Sequence, residues 1–415
     1  MHHPSKPLKV LHTSDWHLGR SLYDRKRYDE FTKFLDWLAG FIREQQIDLL
    51  LVAGDVFDTT TPSNRAQELY YQFLSKAAQS GCRHIVITGG NHDSPTFLNA
   101  PKALLRHFHV YVVGAMTEHP EEEVITLHNE SSEAEAIVCA VPYLRDKDVR
   151  TVEAGEQMDD KNSKLIAGIA QHYEQIGHIA LEKRNGNESI PIIGMGHLFT
   201  SGGTTADGDG VRELYVGGAA RVDENIFPGC FDYMALGHLH SAQQVGQSEH
   251  IRYCGAPIPM GFGEAHQLKK VNVVEFHHNT PTITEYEVPC FQELEKIAGN
   301  TEEILQGIDD LKLRGSTAWI EIEYTAAVKD TGLSDRAYAA IAGTGMEILR
   351  IKNRCVVEQT LTMAQEDETL DDLNERDVFN RCLDANEIEE PNRSLLLQAY
   401  EEILIGMNQT DHQAE

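Results

Sequence analysis

The chain has 415 residues, 41% apolar and 24% charged, an ordinary globular composition that excludes wholesale disorder and collagen-like repeats. Its 36 lysines and arginines face 65 aspartates and glutamates, and the net charge of −29 argues against a protein that grips nucleic acid by bulk charge alone. No run approaches the ~18 consecutive apolar residues of a membrane span, and the polar start Met1–Lys9 lacks the apolar core of a secretory signal. Seven scattered cysteines without a C-x-x-C motif fit a reducing cytoplasm better than a disulfide framework or a thiolate zinc site.

Short apolar runs open the chain. Lys9–Ser14 ends at Asp15, Ile47–Ala53 at Gly54-Asp55, and Arg83–Thr88 at Gly89-Gly90-Asn91. Between them Phe31, Phe34, Leu35, Leu38, Phe41 and Ile42 recur at helical spacing, as do Leu69, Phe73 and Ala77. The alternation predicts an α/β sheet. Further strands are expected at Ile137–Val141, Ile190–Met195, Asp232–Leu236, Ile251–Cys254, Val271–Phe276 and Ile283–Val288, which implies a two-layer β-sandwich core flanked by helices. Residues 155–189 read as a polar helix and loop inserted on its outside. From about 290 the pattern changes: a helical stretch Phe291–Leu313, a strand Ala318–Tyr324, a helix near Asp335–Ala342 and a strand Glu347–Ile351 predict a small α+β domain. The expected division is 1–288, 289–357 and 358–415, the last an acidic linker with two amphipathic helices.

Five apolar runs end in groups that carry chemistry: Asp15-Trp16-His17, Gly54-Asp55 with Asp58, Gly90-Asn91-His92-Asp93, Gly196-His197, and Gly237-His238-Leu239-His240. Ligands of open α/β sheets sit beyond the carboxyl ends of strands, so these groups are expected to converge. Asp15 and His17 lie two apart, as do His238 and His240, so each pair can face one way in extended chain. The preceding glycines permit tight departures from the strands. Carboxylate, imidazole and amide without thiolate suit Mn, Fe, Zn or Co. Asp15, His17, Asp55, Asn91, His197, His238 and His240 are too many for one tetrahedral ion, and suit two ions about 3.5–4 Å apart with a bridging carboxylate.

This ordered set resembles the signature of the calcineurin-like metallophosphoesterases. The strings LHTSDWHLG (11–19), VAGDVFDT (52–59), GNHDS (90–94), ALGHLH (235–240) and RYCGAPIP (252–259) resemble the SbcD nuclease-subunit branch of that family. The resemblance implies one metal at Asp15, His17, Asp55 and His240 and another at Asp55, Asn91, His197 and His238. It implies His92 as the acid over the scissile phosphate, with Asp93 either orienting it or capping the next turn. Asp58 is given no direct role. Two divalent ions, Mn²⁺ foremost, would activate a hydroxide for in-line attack on a phosphodiester. The implied activities are 3′–5′ exonuclease on double-stranded DNA ends and endonuclease on hairpins. The implied partner is an SbcC-type coiled-coil ATPase docked on the C-terminal helices, with a homodimer inside a heterotetramer; helices 64–79 and 97–106 either form the dimer contact, as in the resembled family, or merely cover the sheet. The small domain matches the family's capping domain in position.

Arg20, Arg25, Lys26 and Arg27 are candidate contacts to DNA phosphates. The loop Ser201–Thr205 with Asp207–Gly210 is a candidate channel wall or an ordinary loop. Residues 356–415 hold 16 acids and three arginines, so this segment is expected to meet a protein rather than DNA. Its stripes, Leu370, Leu373, Phe379 and Leu383, then Leu395, Leu396, Tyr400, Ile403 and Leu404, fit a partner groove or the chain's own body. Competing readings are a phosphoesterase for a small molecule or lipid pyrophosphate, and a DNA-end tether with a vestigial site.

Overall fold

The computed structural model describes residues 6–150, 158–200, 222–326 and 330–353, with residues 379, 380, 383, 393, 394, 396, 397 and 400 of the C-terminal segment. The chain divides into two units, Met1–Leu294 and Glu295–Glu415. The loop expected at 201–210, the linker 358–369 and most of the two C-terminal stripes lie outside the described residues.

The first strands are β1 (Leu8–Thr13), the two-residue β2 (Ser21–Leu22) and β3 (Arg25–Lys26), β4 (Leu49–Ala53), β5 (His84–Thr88) and β6 (Val110–Val113). Then come β7 (Val124–His128), β8 (Ala134–Ala140), β9 (Ile192–His197), β10 (Tyr233–Gly237), β11 (Gln243–Val245) and β12 (Ser248–Tyr253). The long hairpin β13 (Lys270–His277) and β14 (Thr280–Glu287) follows. One sheet has the order β14-β13-β1-β4-β5-β6 and the other β11-β12-β10-β9-β8-β7. Strands β1, β4, β5 and the edge strand β6 run parallel, as do β8, β9, β10 and β12, while antiparallel partners close the other edges.

The apolar pattern explains the layering. β4 reads LLLVA and is buried on both faces, as interior parallel strands are. Leu49, Leu51 and Ala53 meet Ala136, Val138, Ile193, Met195 and Ala235 between the sheets. Leu50 and Val52 face the other way, onto helices Tyr28–Gln45 and Asn64–Gln79 through Phe31, Phe34, Leu38, Leu69 and Phe73. The expected sandwich with flanking helices is therefore present.

Two expectations change. Helix Met158–Arg184 is no outside insertion: Ile169, Tyr173, Ile176 and Ala180 form a buried stripe that covers the second sheet. Charged residues on the remaining faces dilute the stripe in the sequence. The helix expected from Phe291 begins only at Thr301, because Asn300 caps it by accepting from the amides of Glu302 and Glu303, at 2.9 and 3.1 Å. Leu294–Gly299 before it is strand β15, which pairs with β16 (Trp319–Tyr324), and β16 with β17 (Glu347–Asn353). Helices Thr301–Leu313 and Leu333–Ile341 supply Ile304, Ile308, Leu311, Leu333 and Ala337 to the core over this small sheet. In the C-terminal segment Phe379 stacks on Tyr400 with centroids 4.0 Å apart, so the two stripes meet each other there.

Candidate metal centre

The chain leaves β1, β4, β5, β9 and β10 toward one place. Beyond the strand ends the parallel pairing continues: the Asp15 amide donates to the Gly54 carbonyl at 3.1 Å and the His17 amide to the Asp55 carbonyl at 2.9 Å. Asp15, His17, Asp55 and His238 all have positive φ, at 53°, 47°, 47° and 98°. Four non-glycine residues in this region, at about 1–3 kcal/mol each, mark a backbone shaped for a task. They also correct the expected geometry. Asp15-x-His17 and His238-x-His240 are not extended pairs facing one way; left-handed turns aim the side chains.

Space, more than turning, fixes the glycines here. A Cβ on Gly237 would lie 1.8 Å from the Ala53 carbonyl oxygen and 2.8 Å from His197 Nδ1. Gly237→Ala is therefore expected to displace His197 and lower bound Mn²⁺ by at least one ion per chain, as read by metal analysis. Full metal content would show that the backbone accommodates the methyl.

The side chains converge as the motifs predicted. His17 Nε2 lies 3.3 Å from His240 Nε2 and 3.6 Å from Asp55 Oδ2. His197 Nε2 lies 3.2 Å from the same Asp55 Oδ2 and 3.0 Å from Asn91 Oδ1, which is 3.1 Å from His238 Nδ1. Asp15, His17 and His240 form one buried group with ligand atoms within 4.8 Å of each other; Asp15, Asp55 and His197 form another. Two ligand atoms each about 2.0–2.2 Å from one ion stand about 3.0–3.6 Å apart. Asp15 is common to these two groups, and Asp55 Oδ2 lies between His17 and His197.

Donor chemistry also fits cations. His197 Nδ1 donates to the Ala53 carbonyl at 2.9 Å, so in the neutral ring Nε2 carries a lone pair and faces two acceptors, Asp55 Oδ2 and Asn91 Oδ1. Burial alone would lower this imidazole's pKa, but Asp55 outweighs it and raises the value to about 9. A proton thus occupies the place a divalent ion takes, and metal binding would release it. Burial holds His17 low, and burial with the neighbouring His197 holds His238 down at about 3. Burial also works against the Asp55 carboxylate, yet His197 and His17 keep it well below the usual range.

His92 adjoins the ligand set and forms a third such group with His17 and Asp55, its ligand atom within 4.8 Å of theirs. Its Nδ1 donates to the Asp58 carbonyl at 2.9 Å, and its amide donates to Asp55 Oδ1 at 2.9 Å. Its ring meets that of His17 edge-on, centroids 4.8 Å apart.

Asp93 does not orient His92. Its carboxylate accepts from the amides of Gly90, Val56 and Phe57 at 2.9, 3.1 and 2.9 Å, and so ties the loop after β5 to the loop after β4. Burial and the Asp55 charge push it up to about 7 against those three amides.

The basic cluster separates in space. Arg27 is buried: it forms a forked pair with Glu30 at 2.7 and 2.9 Å and donates to the Pro259 carbonyl at 2.7 Å, which removes it from any DNA contact. Arg20 donates to the Met260 carbonyl and to Asp58 Oδ1, at 3.2 and 3.1 Å. Arg25 and Lys26 are exposed on the β2–β3 hairpin. Arg27→Ala is expected to cost about 3–5 kcal/mol, since it strands a buried carboxylate. Lys26→Ala is expected to stay within about 0.5 kcal/mol. Urea denaturation compares them, and equal midpoints would show that the Arg27 pair contributes nothing.

Two carboxylates complete the centre. Asp58 Oδ1 lies 3.4 Å from His17 Nδ1, and the fully buried Glu264 places Oε1 3.4 Å from His240 Nδ1. Glu264 Oε2 accepts from the Met260 amide at 3.1 Å and from Lys269 Nζ, which also reaches the His240 carbonyl at 3.2 Å. Sequence reasoning gave Asp58 no role and missed Glu264 and Lys269. Glu264 lies 24 residues beyond the last motif histidine, in a turn with no ligand-like spacing.

The family described as calcineurin-like phosphoesterase matches residues 8–242, and that described as type 5 capsule protein repressor C-terminal domain matches residues 290–387. The chain is 33% identical to the SbcD subunit of the nuclease SbcCD from Escherichia coli (strain K12), across 94% of this chain and 96% of that one. It is 31% identical to the protein of the same name from Bacillus subtilis (strain 168), across 77% of this chain and 80% of the relative.

Proposed function

The chain belongs to the calcineurin-like phosphoesterases, and within them to the SbcD nuclease subunits, and from that membership we propose a manganese-dependent DNA nuclease that processes DNA ends with an ATPase partner. It is a phosphodiester hydrolase and a nuclease that uses divalent metal ions. The finer reading is 3′–5′ exonuclease on duplex ends and endonuclease on hairpins, in the cytoplasm, in DNA repair, recombination and replication. The observation that carries it is Asp55 Oδ2, placed between the His17 and His197 nitrogens at 3.6 and 3.2 Å.

Asp15, His17, Asp55 and His240 would hold one ion, and Asp55, Asn91, His197 and His238 the other. When bound, such ions supply Lewis acidity at phosphoryl oxygens and lower the pKa of a water. The chain supplies the rest. The Asp58 carbonyl accepts only, so the Nδ1 proton of His92 stays there and proton exchange is left to Nε2. His92 is then the acid for the departing sugar oxygen, a poor leaving group without a proton. The bond from the His92 amide to Asp55 Oδ1 fixes this residue to the carboxylate that would be shared by the two ions. Arg25 and Lys26, exposed on the β2–β3 hairpin, are the cluster members read as meeting DNA phosphates.

The relatives are named as one subunit of the SbcCD nuclease, which supports an SbcC-type coiled-coil ATPase as partner, met through residues 358–415, with two copies of this chain in a heterotetramer. The α+β segment 289–357 is read as guiding DNA. Among the described residues no helix is long and apolar enough to cross a membrane.

The test is incubation with Mn²⁺ and end-labelled linear duplex or hairpin DNA, with and without the ATPase partner, beside a chromogenic phosphodiester. Shortened duplex and opened hairpin are expected. Hydrolysis of the small diester with DNA intact even beside the partner would replace the nuclease by a small-substrate phosphoesterase.

A further inference from the structure

Resting on the nuclease reading above, we infer that Tyr23, at the tip of the β2–β3 hairpin, is a stacking surface for the base of an unpaired nucleotide. The chain then favours DNA whose loop or frayed end brings such a base to the metal centre.

The turn is a costly place for this residue. β2 and β3 pair Ser21 with Lys26 and Leu22 with Arg25, which leaves Tyr23 and Asp24 as a two-residue loop. Their φ values are 45° and 66°. Two successive residues of this kind make a I′ turn, a position usually taken by Asn-Gly or Asp-Gly. A bulky side chain with positive φ is strained, and such strain collects at binding sites. Nor does burial explain the tyrosine, which is 43% exposed.

The ring is nevertheless held in one place. It stacks on the buried Phe262, with centroids 5.9 Å apart and planes 18° from parallel. Phe262 lies in the segment Pro259–Glu264, and both legs of the hairpin are fastened to that segment. Arg20, before β2, donates to the Met260 carbonyl at 3.2 Å, and Arg27, after β3, to the Pro259 carbonyl at 2.7 Å. The same segment is tied to the centre. Glu264 accepts from the Met260 amide and from Lys269, and Lys269 donates to the His240 carbonyl at 3.2 Å. A pre-ordered aromatic surface binds without the cost of ordering a loose side chain.

The neighbours of the ring select its ligand. Arg25 and Lys26 are exposed on the same hairpin and suit phosphates, while the exposed Asp24 repels them at the tip itself. An aromatic ring flanked by cations matches single-stranded nucleic acid, whose bases all stack whatever their sequence. Inside a duplex stem both faces of a base are already stacked, and freeing one costs energy. A hairpin loop or a frayed end offers a face at little cost.

Fluorescence of hairpin DNA with 2-aminopurine in its loop, or in its stem, tests this with the full-length chain in chelator, where no DNA is cut. Both are measured with and without the ATPase partner, beside a blunt duplex. The wild type is expected to quench the loop base far more than the stem base. Tyr23→Phe should keep the quench. Tyr23→Asn keeps a residue that suits the left-handed turn but has no ring. It should lose the quench and bind the looped DNA about 10–100-fold more weakly, with a smaller loss on the blunt duplex. Looped DNA bound by wild type without quench, equal binding by the two variants, or an equal loss on looped and blunt DNA would overturn the inference and leave the nuclease reading in place. Unchanged DNA binding by Tyr23→Asn with weaker association of the ATPase partner would make the hairpin a protein contact instead. A wild type that binds none of these DNAs in either setting would remove the nuclease reading itself.

Discussion

His92→Ala is expected to leave both ions bound and to slow DNA cleavage by about 10²–10⁴-fold, the usual worth of a placed acid. The expectation rests on what the ring does not do. Its Nδ1 is spent on the Asp58 carbonyl, and the main-chain bond to Asp55 survives any side-chain change. Truncation therefore removes a proton source beside His17 and Asp55 and leaves the seven predicted ligands standing. The sharper comparison is between substrates. A p-nitrophenyl diester departs as a stabilised phenolate that needs no proton, so its hydrolysis should fall far less than that of DNA. Equal losses on both substrates, or a fall in bound Mn²⁺, would show that His92 serves the metals and not the leaving group.

The sequence carried this site because its ligands are main-chain neighbours of strand ends. Asp15, Asp55, Asn91, His197 and His238 each follow or close an apolar run, and parallel strands bring such ends together whatever the intervening loops do. Groups that act from a distance left no such mark. Glu264 reaches His240 from a separate turn, and Asp58 acts through its carbonyl on one histidine and its carboxylate on another. In sequence Arg27 is a candidate DNA contact or part of a solvated helix start; only the fold shows Glu30 and the Pro259 carbonyl enclosing it. Asp93 stands beside His92 in sequence, yet its oxygens turn to the amides of Val56, Phe57 and Gly90. Adjacency in a motif marks a shared loop and does not say which way each side chain faces. In the same way the helix Met158–Arg184 hides a four-residue core stripe among charges, and one capping asparagine at 300 decides where the next unit's helix starts.

Asp55→Asn should have the larger effect on binding, because on the proposed ligand set one oxygen would serve both cations. Oδ2 faces His17 Nε2 and His197 Nε2, and Oδ1 accepts from the His92 amide. An asparagine that keeps its oxygen toward the His92 amide turns NH₂ into the place where both ions belong. The opposite rotamer sets NH₂ against the His92 N–H. Either way a shared negative charge is lost and donors meet donors, so both affinities should fall by more than the about 10–100-fold that outer partners cost. A ligand at 100 times its dissociation constant stabilises a fold by about 2.7 kcal/mol, worth several degrees in a domain of this size, at about 2–4 °C per kcal/mol. Melting the wild type with and without Mn²⁺ should show that rise, reversed by chelator, and Asp55→Asn should melt at one temperature in both. A variant that keeps two ions and the Mn²⁺-dependent rise would mean that Asp55 bridges nothing and that the ions are held by Asp15, Asn91 and the four ligand histidines alone.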